Sequence, residues 1–141
     1  MIQGQNRVNL EQRIVITGMG AVSPVGLNCK ETFNSVAEGK SGIARITSFD
    51  PSAISCQIAG EVKDFDPTNY MDRKMARRIG RYAQFSIAAT REALAQSGLD
   101  LEKEHPSRIA CIVSSAIADF PIVEDEMNKI FGQGKRHISP F

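Results

Sequence analysis

Histidine and cysteine are scarce: His105 and His137 are the only histidines, and Cys29, Cys56 and Cys111 lie far apart. No two cysteines form a CxxC pair, so the nitrogen–sulfur sets that hold zinc have no local counterpart and no metal is expected. An odd, scattered set is no disulfide framework and points to a reducing cytoplasm. No run approaches the ~18 apolar residues of a membrane span. Residues 1–12 are polar apart from scattered side chains such as Val8 and Leu10. They lack the apolar core of a secretory signal and read as a flexible N-terminal arm. Charge of one sign is lacking too. With a formal net charge of +1, only a local patch can select a charged partner. No internal repeat or low-complexity stretch is present.

What is there is 141 residues, 42% apolar and 23% charged, the composition of one globular domain. Residues 14–17 and 109–113 are short runs of β-branched and other apolar side chains, and each reads as a strand buried on both faces. Asn28, with Glu31 three residues on, reads as the cap of a helix whose one apolar face is Phe33, Val36 and Ala37 and which ends at Gly39. Asp50-Pro51 and Asp66-Pro67 mark turns, and residues 56–62 read as a further strand. Residues 71–97 carry the strongest helical pattern, with Gly98 in the C′ position. A last helix begins near Pro121, and a basic loop follows it. Alternating strands and helices predict an α/β fold, with helices packed on a mostly parallel central sheet.

Gly18-Met19-Gly20-Ala21-Val22-Ser23 after a strand invites a dinucleotide reading. However, Ser23 replaces the third glycine, Pro24 follows, and no helix can begin before about Asn28. The loop is therefore not expected to hold a nicotinamide cofactor. Gly18 and Gly20 read instead as positions where backbone passes close to packed backbone.

Arg73, Lys74, Arg77, Arg78 and Arg81 fall on an arc of roughly 140° of the expected long helix, at about 100° per residue. Met75, Ile79, Tyr82, Ala83, Ile87 and Leu94 fall on the opposite arc. One reading is a solvated face. Like charges at i,i+4 repel, however, and arginine suits bidentate binding of phosphate or carboxylate, which favours an acidic partner. No aromatic interleaving or nucleic-acid motif accompanies the patch. Cys111 reads as buried and inert in its strand. Cys29 lies in the first turn of a helix, where a thiol pKa can fall. Both histidines read as exposed.

Arg13-Ile14-Val15-Ile16-Thr17-Gly18-Met19-Gly20-Ala21-Val22-Ser23-Pro24-Val25-Gly26, with the closing Ile138-Ser139-Pro140-Phe141, resembles the early part of a β-ketoacyl-(acyl carrier protein) synthase. That is a condensing enzyme of thiolase-like fold. The resemblance covers residues 13–141 and is nearest to the type II fatty-acid elongation enzymes. It implies decarboxylative condensation of malonyl-ACP with an acyl thioester, without metal or redox cofactor, in a cytoplasmic homodimer. In the family the nucleophilic cysteine and two active-site histidines follow such a segment, so it implies no catalytic residue here and no condensation by this chain alone. Matched residue by residue, Lys74, Arg77, Arg78 and Arg136 fall on positions that dock the acidic acyl carrier protein. Ile117 falls on the residue that limits the acyl chain. Ala116, Ala118 and Asp119 stand where the family usually has glycine. Ile117 also reads as plain core, and Asp119 as a cap for the helix after it. A carrier-docking module, or a relative of polyketide synthase or chain-length-factor type without its own catalysis, is the alternative.

Overall fold

The computed structural model describes residues 13–117 and 119–134. The expected N-terminal arm, Ala118, Arg136 and His137 lie outside them.

Helix α1 spans Cys29–Ala37. The Asn28 side chain accepts from the Glu31 amide at 2.8 Å, while the Glu31 carboxylate reaches back to the Leu27 amide at 2.9 Å. This is the expected capping box, with its return arm one residue earlier than usual. Phe33 and Val36, on the expected apolar face, are exposed, because no described element covers that side. Strands β1 (Ile43–Arg45) and β2 (Ile58–Gly60) form a two-stranded antiparallel sheet, with Ala44 opposite Ala59. The two Asp-Pro signals open 3-10 turns at Pro51–Ala53 and Pro67–Asn69, each capped by the preceding aspartate.

The expected long helix is two. Helix α2 is the single turn Arg73–Ala76, capped by Asp72, and α3 runs Arg81–Ser97. Gly80 is the N-cap of α3, in extended conformation, so the chain turns at residues 77–80. Glycine inside an amphipathic run costs about 1 kcal/mol against alanine, and here it marks the break. Gly98 ends α3 in the left-handed region, φ 68°, as its position predicted. Helix α4 is Phe120–Met127, with Asp119 as N-cap, and a π-helical turn, Asn128–Gly132, continues it.

The core is small. Among the described residues Phe65, Met71 and Ala88 are buried, as is Pro51, and Gln84 is the buried polar residue. Phe65 stacks on Tyr70 at 5.4 Å and meets Phe85 edge-on at 4.9 Å. The two segments expected as buried strands carry no strand assignment and have no strand partner among the described residues. Ile14 is 97% exposed, Ile16 83% and Ile112 90%. Cys111 is likewise exposed rather than buried. The expected parallel sheet is therefore not assembled in the described residues. The β-forming pattern is present and neighbouring strands are not.

Candidate functional site

Helix α3 organises both regions of interest. Along its length Ala89 and Ala93 leave their carbonyls uncovered, and the glycine loop lies against them. A Cβ at Gly18 would collide with the Ala93 carbonyl, and one at Gly20 with the Ala89 carbonyl. This is the close backbone approach expected of these glycines. Polar side chains from the same helix then pin the loop. Gln96 accepts from the Met19 amide at 2.6 Å, and Glu92 accepts from the Ala21 amide at 3.0 Å. Glu92 also accepts from the Cys29 amide, at 2.9 and 3.2 Å from its two oxygens. The first turn of α1 leaves its amides without intrahelical partners, and Glu92 supplies both an acceptor and a charge favourable to the helix dipole.

These surroundings reverse the expectation for Cys29. Its thiol is pushed above its ordinary value by desolvation first, then by the Glu92 charge and the hydrogen bond to it. A helix N-terminus alone would lower it; desolvation, with the facing anion added, prevails. Cys56 and Cys111 are exposed, and His105 contacts the Ser107 hydroxyl at 2.8 Å. Among the described residues no three His, Cys, Asp or Glu side chains gather as a metal site, and no helix is long and apolar enough to cross a membrane.

The second region is the basic turn. Lys74, Arg77 and Arg78 are exposed on α2 and the turn after it. The break at residues 77–80 puts Arg81 on a different helix, so the single arginine stripe expected for one straight helix does not form. Arg81 lies instead over the Phe85 ring, 4.8 Å from its centroid, and donates to the Val62 carbonyl at 3.0 Å. Lys74 and Arg78 line a cleft of about 300 Å3 together with Asp72, Met75 and Ile79. Ile79 also faces a largely apolar cavity of about 310 Å3, bounded by Tyr82, Ala83, Ile122 and Val123. A cleft with two cations and one carboxylate, and a largely apolar cavity with Asp119 at its edge, thus share Ile79 as a wall. Such a pair can take an anionic group with an apolar or neutral chain attached.

Ile117 is 70% exposed and does not line this cavity. The core reading of Ile117 is thereby corrected, since no described element packs over it. Asp119 caps α4, its carboxylate accepting from the Ile122 amide at 3.4 Å. The same carboxylate fills the space that a side chain at position 80 would need. Gly80 brings no side-chain cap to α3, so one aspartate stands beside the N-termini of two helices.

A family model for the beta-ketoacyl synthase N-terminal domain matches residues 11–141. The chain belongs to that family. It is 39% identical over 131 residues to 3-oxoacyl-(acyl-carrier-protein) synthase 2 of Vibrio harveyi, a match covering 93% of this chain and 32% of the relative. The protein of the same name from Synechocystis is 35% identical over 134 residues, covering 94% and 32%. The chain thus spans about a third of the length of these relatives. Among solved structures it resembles a type II PKS acyl-carrier protein in complex with its ketosynthase bound to the hexaketide. There the TM-score is 0.72 at 25% identity, covering 92% of this chain and 33% of that one. The ishigamide ketosynthase/chain length factor gives 0.70 at 25% identity, covering 86% and 30%. Ketosynthase likeness extends over most of the β-ketoacyl synthase segment described here.

Sequence reasoning reached the caps and the exposed cations Lys74, Arg77 and Arg78. It missed Glu92, Gln96 and Gln84. All three are polar positions on α3 that a helical wheel assigns to solvent, and their partners lie far away in sequence.

Proposed function

We propose that this chain is the N-terminal part of a β-ketoacyl-ACP synthase and contributes the carrier-facing surface to decarboxylative condensation. Lys74, Arg77 and Arg78, with Arg136 by resemblance, meet the acidic acyl carrier protein. Ile117 borders the acyl pocket once the remaining two-thirds of a relative's length is in place. That remainder supplies strands beside residues 14–17 and 109–113, completing a mostly parallel sheet in a cytoplasmic homodimer. It also supplies the nucleophilic cysteine and the histidines, so the 141 residues alone condense nothing. The observation that carries the reading is the exposed trio Lys74, Arg77 and Arg78, two of them lining a cleft that adjoins an apolar cavity. A carrier protein that must arrive and leave quickly suits such rim electrostatics.

Titration of a phosphopantetheine-bearing carrier protein into the chain tests it. Weak binding that falls as salt rises is expected, and Arg77→Glu with Arg78→Glu should weaken it at least ~10-fold. Binding indifferent to both changes would refute docking at this surface.

A second reading is favoured by the ketosynthase/chain length factor neighbour. A chain-length-factor-like relative would share the fold while having no condensation of its own. The residue at the family's nucleophile position in the full-length protein separates the two.

A further inference from the structure

Helix α2 has four residues, so its last carbonyls have few intrahelical partners. Gln84, on the first turn of α3, reaches back to them. Its amide nitrogen donates to the Ala76 carbonyl at 2.8 Å and to the Ile79 carbonyl at 3.2 Å. Gln84 is only 8% exposed, the single buried polar residue among the described residues. Its two bonds span the turn from the last residue of α2 to the residue before Gly80. Arg77 and Arg78 lie between the two anchored carbonyls. The turn itself is otherwise held by local bonds, Arg78 and Ile79 amides to the Met75 carbonyl at 2.9 and 3.2 Å.

We propose that Gln84 is a positioning residue for the basic surface: its buried amide locks the turn at residues 77–80 and so fixes how Lys74, Arg77 and Arg78 are presented to an acidic partner. The proposal rests on the docking reading of those three cations. The physical argument is preorganisation. A turn held at both ends loses less conformational freedom when its side chains engage carboxylates or phosphates. An apolar residue at position 84 would leave two carbonyls without a donor and free the turn to move, while touching no partner itself.

The test uses the full chain and a phosphopantetheine-bearing acyl carrier protein as probe, with Gln84→Met as an unbranched replacement lacking donors. Gln84→Glu, of the same shape, serves if Gln84→Met does not fold. Backbone amide relaxation of residues 77–80 reads the turn, and titration at two salt concentrations reads docking. The expected result is loss of order at residues 77–80, a roughly 10-fold weaker complex and a shallower salt dependence. Removing Arg77 and Arg78 charges in the Gln84→Met background should then cost less than in the parent. Unchanged order at residues 77–80 overturns the positioning role. Lost order with unchanged binding overturns the link to docking. Absence of carrier binding by the parent chain refutes the docking reading, and with it the functional half of the proposal, while the relaxation data still judge the turn.

Discussion

Glu92→Gln separates two jobs of one carboxylate. Its two oxygens serve the Ala21 and Cys29 amides, the latter from both oxygens. Glutamine with its oxygen in the place of Oε2 still accepts from both amides, at 3.0 and 3.2 Å, but the Cys29 amide loses its shorter bond at 2.9 Å and faces an NH2 donor, and every remaining bond is to a neutral acceptor. Hydrogen bonds to charged groups contribute about 1.5–3 kcal/mol and neutral ones about 0.5–1.5. The expected loss is therefore about 1–3 kcal/mol, and Glu92→Ala should lie at or above the upper end. At roughly 4 °C per kcal/mol for a chain of this size, the melting midpoint should fall by about 4–12 °C. An independent readout is the Cys29 thiol, whose pKa is raised by desolvation, then by the Glu92 charge. Removing the charge should lower that pKa toward its ordinary value without restoring it fully, because desolvation persists. Alkylation rate against pH, in a Cys56→Ser, Cys111→Ser background, measures it. A midpoint within 1 °C of the parent, or an unmoved alkylation profile, would refute the role given to Glu92.

Gly80→Ala should cost about 1–3 kcal/mol, because the new methyl meets the Asp119 carboxylate; in an Asp119→Gly background denaturant titration should find that cost nearly abolished. Gly20→Ala should destabilise by a similar amount, through collision with the Ala89 carbonyl, and should speed amide exchange at Met19 and Ala21. Glu61 accepts bonds from Ser48 and Thr47 that lower its pKa from 4.5 to about 2. A depressed folded-state pKa means the contribution is full above the unfolded value and is lost as pH falls from there through about 2. Melting midpoints across that window should drop in the parent and less in Glu61→Gln. Ile112→Ser should reduce concentration-dependent light scattering without lowering the midpoint, since this side chain is 90% exposed.

Local chemistry was legible in the sequence. Asn28, Asp50, Asp66 and Asp119 each cap the element expected from their neighbours, because a cap is a bond within three residues. Gly98 adopts the conformation its place at the end of a helical pattern demanded. Gly80 lies within the helical pattern of residues 71–97, which reads as continuous. What makes it a break is tertiary: Gln84 bonding Ala76 and Ile79 across the turn, and Asp119 occupying the space beside it. Arg81 is exposed, as the wheel indicates, but a wheel does not show the Phe65 and Phe85 rings against which its guanidinium lies. The Cys29 pKa took the opposite direction because tertiary packing desolvates the thiol and brings in an anion from 63 residues away. The segments around Ile14 and Ile112 show a further limit. Hydrophobic pattern states that a strand needs cover, and it carries no information on which polypeptide provides it.

Ile14, Ile16 and Ile112 stand almost bare, and this makes the molecule's survival a question of rates. Self-encounter of sticky edges accelerates with the square of concentration, whereas capture by a complementary polypeptide scales with that polypeptide's abundance. Slow synthesis beside an excess of such a polypeptide keeps the chain dispersed; overproduction on its own drives it into insoluble particles.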